Sequence, residues 1–127
     1  MKYKKSFSIK DRLKSFAYAF EGLKVLFLFE HNSRIHLLAT FMVVFLSIYL
    51  KISVLEWLAL LIVIGMVFCA EIFNSSIETL CDRVSPEKDE MIKRTKDLGA
   101  AGVFMASLIA VIVGSIIFIP KITSFKF

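Results

Sequence analysis

Residues 70–84 read AEIFNSSIETLCDRV and follow directly on SVLEWLALLIVIGMVFC, residues 53–69, which carries one charge near its start, Glu56. An apolar run that ends in Glu71, Asn74, Glu78 and Asp82 poses the question on which the fold turns. On a helix advancing about 100° per residue, Asn74 lies near −60°, Glu78 near −20°, Asp82 near +20° and Ser75 near +40° relative to Glu71. The strongly polar groups therefore share one narrow face, while Ile72, Phe73, Ile77 and Leu80 occupy the other and are free for lipid or neighbouring helices. Glu71 and Glu78 are separated along the axis by roughly 10 Å, at about 1.5 Å per residue. An ionisable group at the bilayer centre costs at least about 2.5–3.5 kcal/mol, and less near the interface. A helix that simply leaves the membrane with a solvated face is the plainer explanation. Against it, a helix emerging fully into water needs no apolar back.

The rest of the chain agrees with a membrane setting. Of its 127 residues 57% are hydrophobic, thirteen are Phe, and the mean hydropathy is +0.74. Soluble domains are usually about 45–50% apolar, and here the excess lies in long blocks. The length allows one domain, taken as residues 1–127, and a bundle this small offers little interior of its own. The reading is an all-α membrane protein with three transmembrane helices. They are expected over about 34–51, over 54–71 with a helical extension to 84, and over 98–120. The last is the most uniformly apolar, and its Gly99, Ala100, Ala101, Gly102 and Ala106 would let neighbouring helices approach closely. Ahead of the spans, residues 10–29 place Leu13, Phe16, Ala17, Phe20, Leu23 and Phe27 on one side and Lys14, Glu21 and Lys24 elsewhere. That pattern predicts an amphipathic helix lying on the membrane surface.

Charge sets the orientation. The net charge is +5; eight of the sixteen Lys and Arg lie within residues 2–34 and five within 83–96. Basic flanks stay cytoplasmic, so the N-terminus and the loop before the third span are expected inside and the C-terminus outside. Nucleic acid is excluded as a partner, since neither a zinc-finger spacing nor an aromatic RNA-binding signature is present. Cys69 and Cys81 stand twelve apart in one helix, unsuited to a disulfide or a metal, and read as small apolar fillers. The first residues show no cleavable signal peptide. His31 and His36, five apart, read as headgroup-level polar residues rather than metal ligands. Trp57 and Tyr49 bracket the turn near Lys51 as an interfacial aromatic belt, with Glu56 as an exposed turn acid. Pro86 is expected to open the turn of the 83–96 loop.

Two further clusters bear on the polar row. Glu30 ends the apolar run VLFLF, at the junction of the surface helix and the first span, and Lys96 and Asp97 stand at the mouth of the third. Three helix ends thus bring acids and a lysine to one membrane depth. Converging carboxylates repel unless a divalent cation joins them, and magnesium accepts one or two, completing its shell with water and phosphate oxygens. A lysine can balance phosphate charge and a further carboxylate can take a proton from an alcohol, the ingredients of phosphoryl transfer. No P-loop, dinucleotide or protein-kinase motif accompanies them. A non-catalytic small membrane oligomer that uses the polar face for self-association is the alternative from another class.

The motif EIFNSSIETLCDR (71–83), followed by KDLGAA (96–101) and preceded by AYAFEGL (17–23) and EHNSRIH (30–36), resembles the prokaryotic diacylglycerol kinases and the related undecaprenol kinases. The resemblance covers nearly the whole chain. It implies a homotrimer of three-span protomers in the bacterial inner (cytoplasmic) membrane, with cytoplasmic active sites shared between protomers. It further implies ATP as co-substrate, Mg2+ as cofactor and a membrane lipid alcohol as acceptor. By position, Glu71 corresponds to the general base, and Glu71 and Ala100 to substrate contacts. Glu30 and Glu78 correspond to the carboxylates on the magnesium of bound ATP. Asn74 and Asp82 correspond to supporting positions. Tyr18, Glu87, Lys88, Asp89, Lys96 and Asp97, with Glu30 and Glu78, correspond to nucleotide contacts. The family's early arginine is matched only approximately, by Arg12 or, in another register, by Asp11. The loop VSPEKDEMIKRTKDLGAAGVF (84–104) and the segment IVGSIIFIPKI (112–122) look more like the undecaprenol branch, with diacylglycerol as the alternative acceptor.

Overall fold

The computed structural model describes residues 6–85, 87 and 89–124 and is all-helical. Four helices follow in order: α1 (Ile9–Phe29), α2 (His31–Tyr49), α3 (Val54–Val84) and α4 (Glu90–Ser124). The last three are long and apolar enough to cross a membrane, and α1 is the expected extra N-terminal helix. Pro86 and Lys88 lie outside the described residues.

Helix α1 starts where Ser8 Oγ accepts from the Asp11 amide at 3.4 Å, with the Asp11 carboxylate in the first turn, where the helix dipole favours it. It ends without Gly or Pro. Glu30 is extended (φ −97, ψ 112) and serves at once as the C-cap of α1 and the N-cap of α2. The α1 carbonyls orphaned there are taken by Arg34, whose Nε donates to Phe27 O at 2.8 Å and whose terminal nitrogen donates to Leu28 O. A guanidinium fork suits two adjacent acceptors. Phe27 also meets Phe68 of α3 edge to face, with ring centroids 5.9 Å apart, and Leu26 is buried. The elbow that carries Glu30 is therefore fixed from both sides.

Between α2 and α3 the chain reverses through a Schellman turn. Lys51 N donates to Ile48 O and Ile52 N to Ser47 O, both at 3.2 Å, with Lys51 in the left-handed region (φ 51). Ile52 is buried against Leu60, Val63, Ile117 and Phe118, which form the core at this end. Ser53 then caps α3 in a reciprocal box with Glu56: Glu56 N donates to Ser53 Oγ at 3.2 Å and Ser53 N to Glu56 Oε2 at 2.7 Å. Glu56 Oε1 also stands 3.1 Å from Lys121 Nζ of α4. The expectation of an idle turn acid at Glu56 is corrected: it closes the α3 cap and ties α3 to α4.

α3 and α4 form the closest pair, and α2 and α1 rest on them more lightly. In lipid, helices associate through packing and hydrogen bonds rather than apolar burial, so close approach matters. A Cβ on Gly99 would stand 2.5 Å from Asn74 Oδ1, so hydrogen alone fits there. Ala106 is buried, but Ala100, Ala101 and Gly102 are exposed, and a Cβ on Gly102 would meet nothing within 4 Å. Within one chain only two of the five small residues serve a close helix pair. Pro120 does not end α4, which continues to Ser124, with Thr123 Oγ1 donating to Ile119 O at 2.9 Å.

Candidate active site

Glu71 is buried on α3, with 2% of its area exposed. Its Oε1 is 3.0 Å from His36 Nε2 of α2, within ion-pair range but not aligned as a hydrogen bond. The side-chain oxygens Ser33 Oγ, Asn74 Oδ1 and Ser75 Oγ are likewise enclosed without a partner among the described residues. Neighbouring hydroxyls behave differently: Ser76 Oγ donates to Ile72 O and Thr79 Oγ1 to Ser75 O, each at 2.8 Å. Buried polar groups are nearly always paired, so these atoms on and beside the narrow face of α3 leave hydrogen-bonding capacity unused among the described residues.

Glu30, half-buried at the elbow, lines a cavity of about 820 Å³ between α1 and α3 with Leu26, Ser75, Thr79 and Arg83. Its lining is mostly apolar, and it opens beside the polar row. A second hollow, of about 590 Å³, lies at the junction of α3 and α4 and is lined by Asp82, Glu87, Asp89, Lys93, Lys96 and Asp97. Here Lys96 Nζ hydrogen-bonds Asp82 Oδ1, and Lys93 Nζ meets Asp97 Oδ2 at 2.7 Å. These residues precede the apolar part of α4. The hydrogen bond to Asp82 raises the Lys96 pKa above the usual lysine range, partly opposed by desolvation, and the charges of Asp82 and Glu78 add to the rise. Lys96 thus stays cationic at any physiological pH.

The chain brings together Asp82, Lys96 and Asp97 with Glu87 and Asp89, and Glu71 with His36. Glu30 and Glu78 are half-buried, the latter close enough to Lys96 to act on its charge. Among the described residues no three His, Cys, Asp or Glu side chains form a metal-binding group. Tyr18 is 71% exposed on α1, and Ala100 is exposed on α4. Asp89 Oδ1 accepts from the amides of Met91 at 2.8 Å and Ile92 at 3.3 Å, so it caps α4. Lys88 lies outside the described residues.

Sequence reasoning passed over two residues. His36 reads from the sequence as a headgroup-level polar residue, and the structure adds that it stands 3.0 Å from Glu71; only the register of α2 against α3 brings them together. Arg34 was counted as a basic flank, yet it fixes the elbow. Its spacing of six and seven from its acceptors has no helical signature.

A narrow acidic face on a membrane helix, with a lysine–aspartate pair at its end and a cavity beneath a surface helix, belongs to a known class of membrane enzyme. The family profile described as Prokaryotic diacylglycerol kinase matches residues 17–118. The chain is 30% identical over 109 residues to the undecaprenol kinase of Bacillus subtilis (strain 168), covering 86% of this chain and 89% of that one. It is 31% identical over 100 residues to the diacylglycerol kinase of Escherichia coli (strain K12), covering 79% and 82%. The diacylglycerol kinase of Haemophilus influenzae (strain ATCC 51907 / DSM 11121 / KW20 / Rd) matches at 29% over 115 residues, covering 90% and 98%. The chain belongs to the prokaryotic diacylglycerol kinase family and is a membrane lipid kinase. Family membership sets aside the non-catalytic oligomer.

Proposed function

We propose that the protein transfers the γ-phosphoryl group of ATP to undecaprenol, giving undecaprenyl phosphate and ADP. The observation that carries the kinase chemistry is Glu71, an enclosed carboxylate on the long apolar helix α3, on the same face as Asn74 and Glu78. Such a group can take the proton of a lipid alcohol that cannot leave the bilayer. The alcohol oxygen then bonds to the γ-phosphorus as the bond to the β-phosphate oxygen breaks, and the proton stays on Glu71. Lys96, released from Asp82, balances phosphate charge, and Asn74 orients the reacting groups.

Mg2+ is the cofactor in this reading, since it needs only one or two carboxylates alongside phosphate oxygens and water. Glu30 and Glu78 would hold it, and when bound it neutralises charge on the transferring phosphate. Tyr18, Glu87, Lys88, Asp89 and Asp97 are the remaining nucleotide contacts in this reading, and Ala100 a lipid contact. The protein works as a homotrimer in the bacterial cytoplasmic membrane, its N-terminus and active site inside and its C-terminus outside. The skewed distribution of Lys and Arg supports this orientation.

Relatives named for each lipid match about equally well, at 30% and 31% identity. The choice of undecaprenol rests on residues 84–104 and 112–122. Purified protein in detergent micelles, with radiolabelled ATP, is offered undecaprenol and diacylglycerol separately. The specificity constant for undecaprenol is expected to be at least about tenfold larger, corresponding to about 1.4 kcal/mol of transition-state discrimination. Equal or reversed constants overturn the lipid assignment, and phosphorylation of neither lipid overturns the kinase mechanism.

A further inference from the structure

Glu71 holds an enclosed oxygen, Oε1, for which no aligned donor is present among the described residues, and the nearest ionisable group is the imidazole of His36 at 3.0 Å. A buried polar oxygen without a hydrogen-bond partner is costly, so a donor facing it matters. His36 comes from α2, on the same side as the fully buried Ser33 one turn earlier, and its side chain is 25% exposed. His36 also lines an apolar groove of about 460 Å³ between α2, α3 and α4, with Thr40, Val67, Phe68 and Ser107. The imidazole therefore belongs both to that groove and to the surroundings of the carboxylate.

We propose that His36 is the positioning residue of Glu71, an inference that rests on the assignment of Glu71 as the base. The Nε2–H of His36 donates to Oε1 and holds the carboxylate in one rotamer, so that Oε2 meets the hydroxyl of the acceptor. Hydrogen bonds at catalytic groups are often poorly aligned before substrate binds and tighten afterwards, as the Nε2–Oε1 separation allows here. The hydroxyl proton passes to Oε2, the alcohol oxygen bonds to the γ-phosphorus, the bond to ADP breaks, and His36 keeps its own proton throughout. The hollow at Asp82 and Lys96 is lined by other residues, so nucleotide affinity does not depend on His36.

The test compares the full-length wild type with His36→Leu, His36→Asn, His36→Gln and Glu71→Gln in micelles. It reads kcat, the KM for ATP and the thermal unfolding temperature in the same detergent. Removing a general base costs about 10²–10⁴-fold in rate. Loss of its positioning group should remove part of that, so His36→Leu is expected to lower kcat by about 10–100-fold with the KM for ATP unchanged. His36→Gln retains an N–H at similar reach and should recover kcat to within a few-fold of wild type; His36→Asn is too short and should not. If His36→Leu does not fold, the Asn and Gln pair decides. A His36→Leu kcat within twofold of wild type overturns the proposal. So does an equal loss in all three His36 variants that tracks unfolding temperature or a raised KM for ATP, as a purely structural pair would give. Full activity in Glu71→Gln removes the base itself, a failure separate from that of His36.

Discussion

At the scale of single residues, the α3–α4 contact is decided by Gly99. Its missing side chain leaves room for Asn74 Oδ1, and an added Cβ would lie 2.5 Å from that atom, closer than any real contact. Gly99→Ala must therefore turn Asn74 away or push the helices apart. Because the crowded atom ends a side chain, the cost is expected at the lower end of the range for overpacking, about 1–3 kcal/mol. We expect a lower unfolding temperature and a fall in kcat of about tenfold, since misplacing a site group by about 1 Å can cost 10²-fold. Adding Asn74→Ala should restore the unfolding temperature without restoring activity. If the double variant is as unstable as Gly99→Ala alone, the clash is not with Asn74.

At the scale of elements, the two turns are built on different chemistry and respond differently to substitution. The elbow at Glu30 depends on the Arg34 fork over the carbonyls of Phe27 and Leu28. Arg34→Lys keeps the charge but replaces two fixed donor nitrogens by one on a shorter side chain, which should cost about 1–3 kcal/mol where a carbonyl is left without a partner. Because Glu30 sits on this elbow, a loss of kinase activity is expected together with the lower unfolding temperature; full activity would separate the elbow from the site. The turn at Lys51 carries a non-glycine residue at φ 51. The left-handed conformation costs such a residue roughly 1–2 kcal/mol, and Gly escapes this at some cost in unfolded-state entropy. Lys51→Gly should therefore stabilise the chain by about 0.5–1 kcal/mol in thermal melts and leave kcat unaltered. A destabilised variant would show that Lys51 is held by something other than its backbone.

Across the whole molecule, the two ends of the bundle do separate jobs. One end carries Glu30, Asp82, Lys96 and Asp97, the other the Glu56–Lys121 pair over the core of Ile52, Leu60, Val63, Ile117 and Phe118. Glu56 takes part in both the α3 cap and the ion pair, whereas Lys121 takes part in the pair alone. Glu56→Ala should therefore lower the unfolding temperature more than Lys121→Ala. Neither should alter kcat, because the chemistry sits at the opposite end. Thermal melts beside kinase assays check both, and an activity loss in Lys121→Ala would mean the two ends are coupled.

How much of this was legible beforehand differs by kind of information. The three long apolar helices, the amphipathic N-terminal helix and the narrow face of Glu71, Asn74, Glu78 and Asp82 follow from the order of residues alone. Helical periodicity and hydropathy are local properties, set within a few turns of one segment. The contacts of Arg34, His36 and Glu56 did not follow, and for Gly99 the close helix approach was legible but its partner, Asn74, was not. Each depends on a residue in another turn or another helix, and the register between helices is set by how side chains pack across the interface. Tertiary structure alone decided that an imidazole on α2 stands beside the buried carboxylate of α3, since no spacing within either helix encodes a meeting between them.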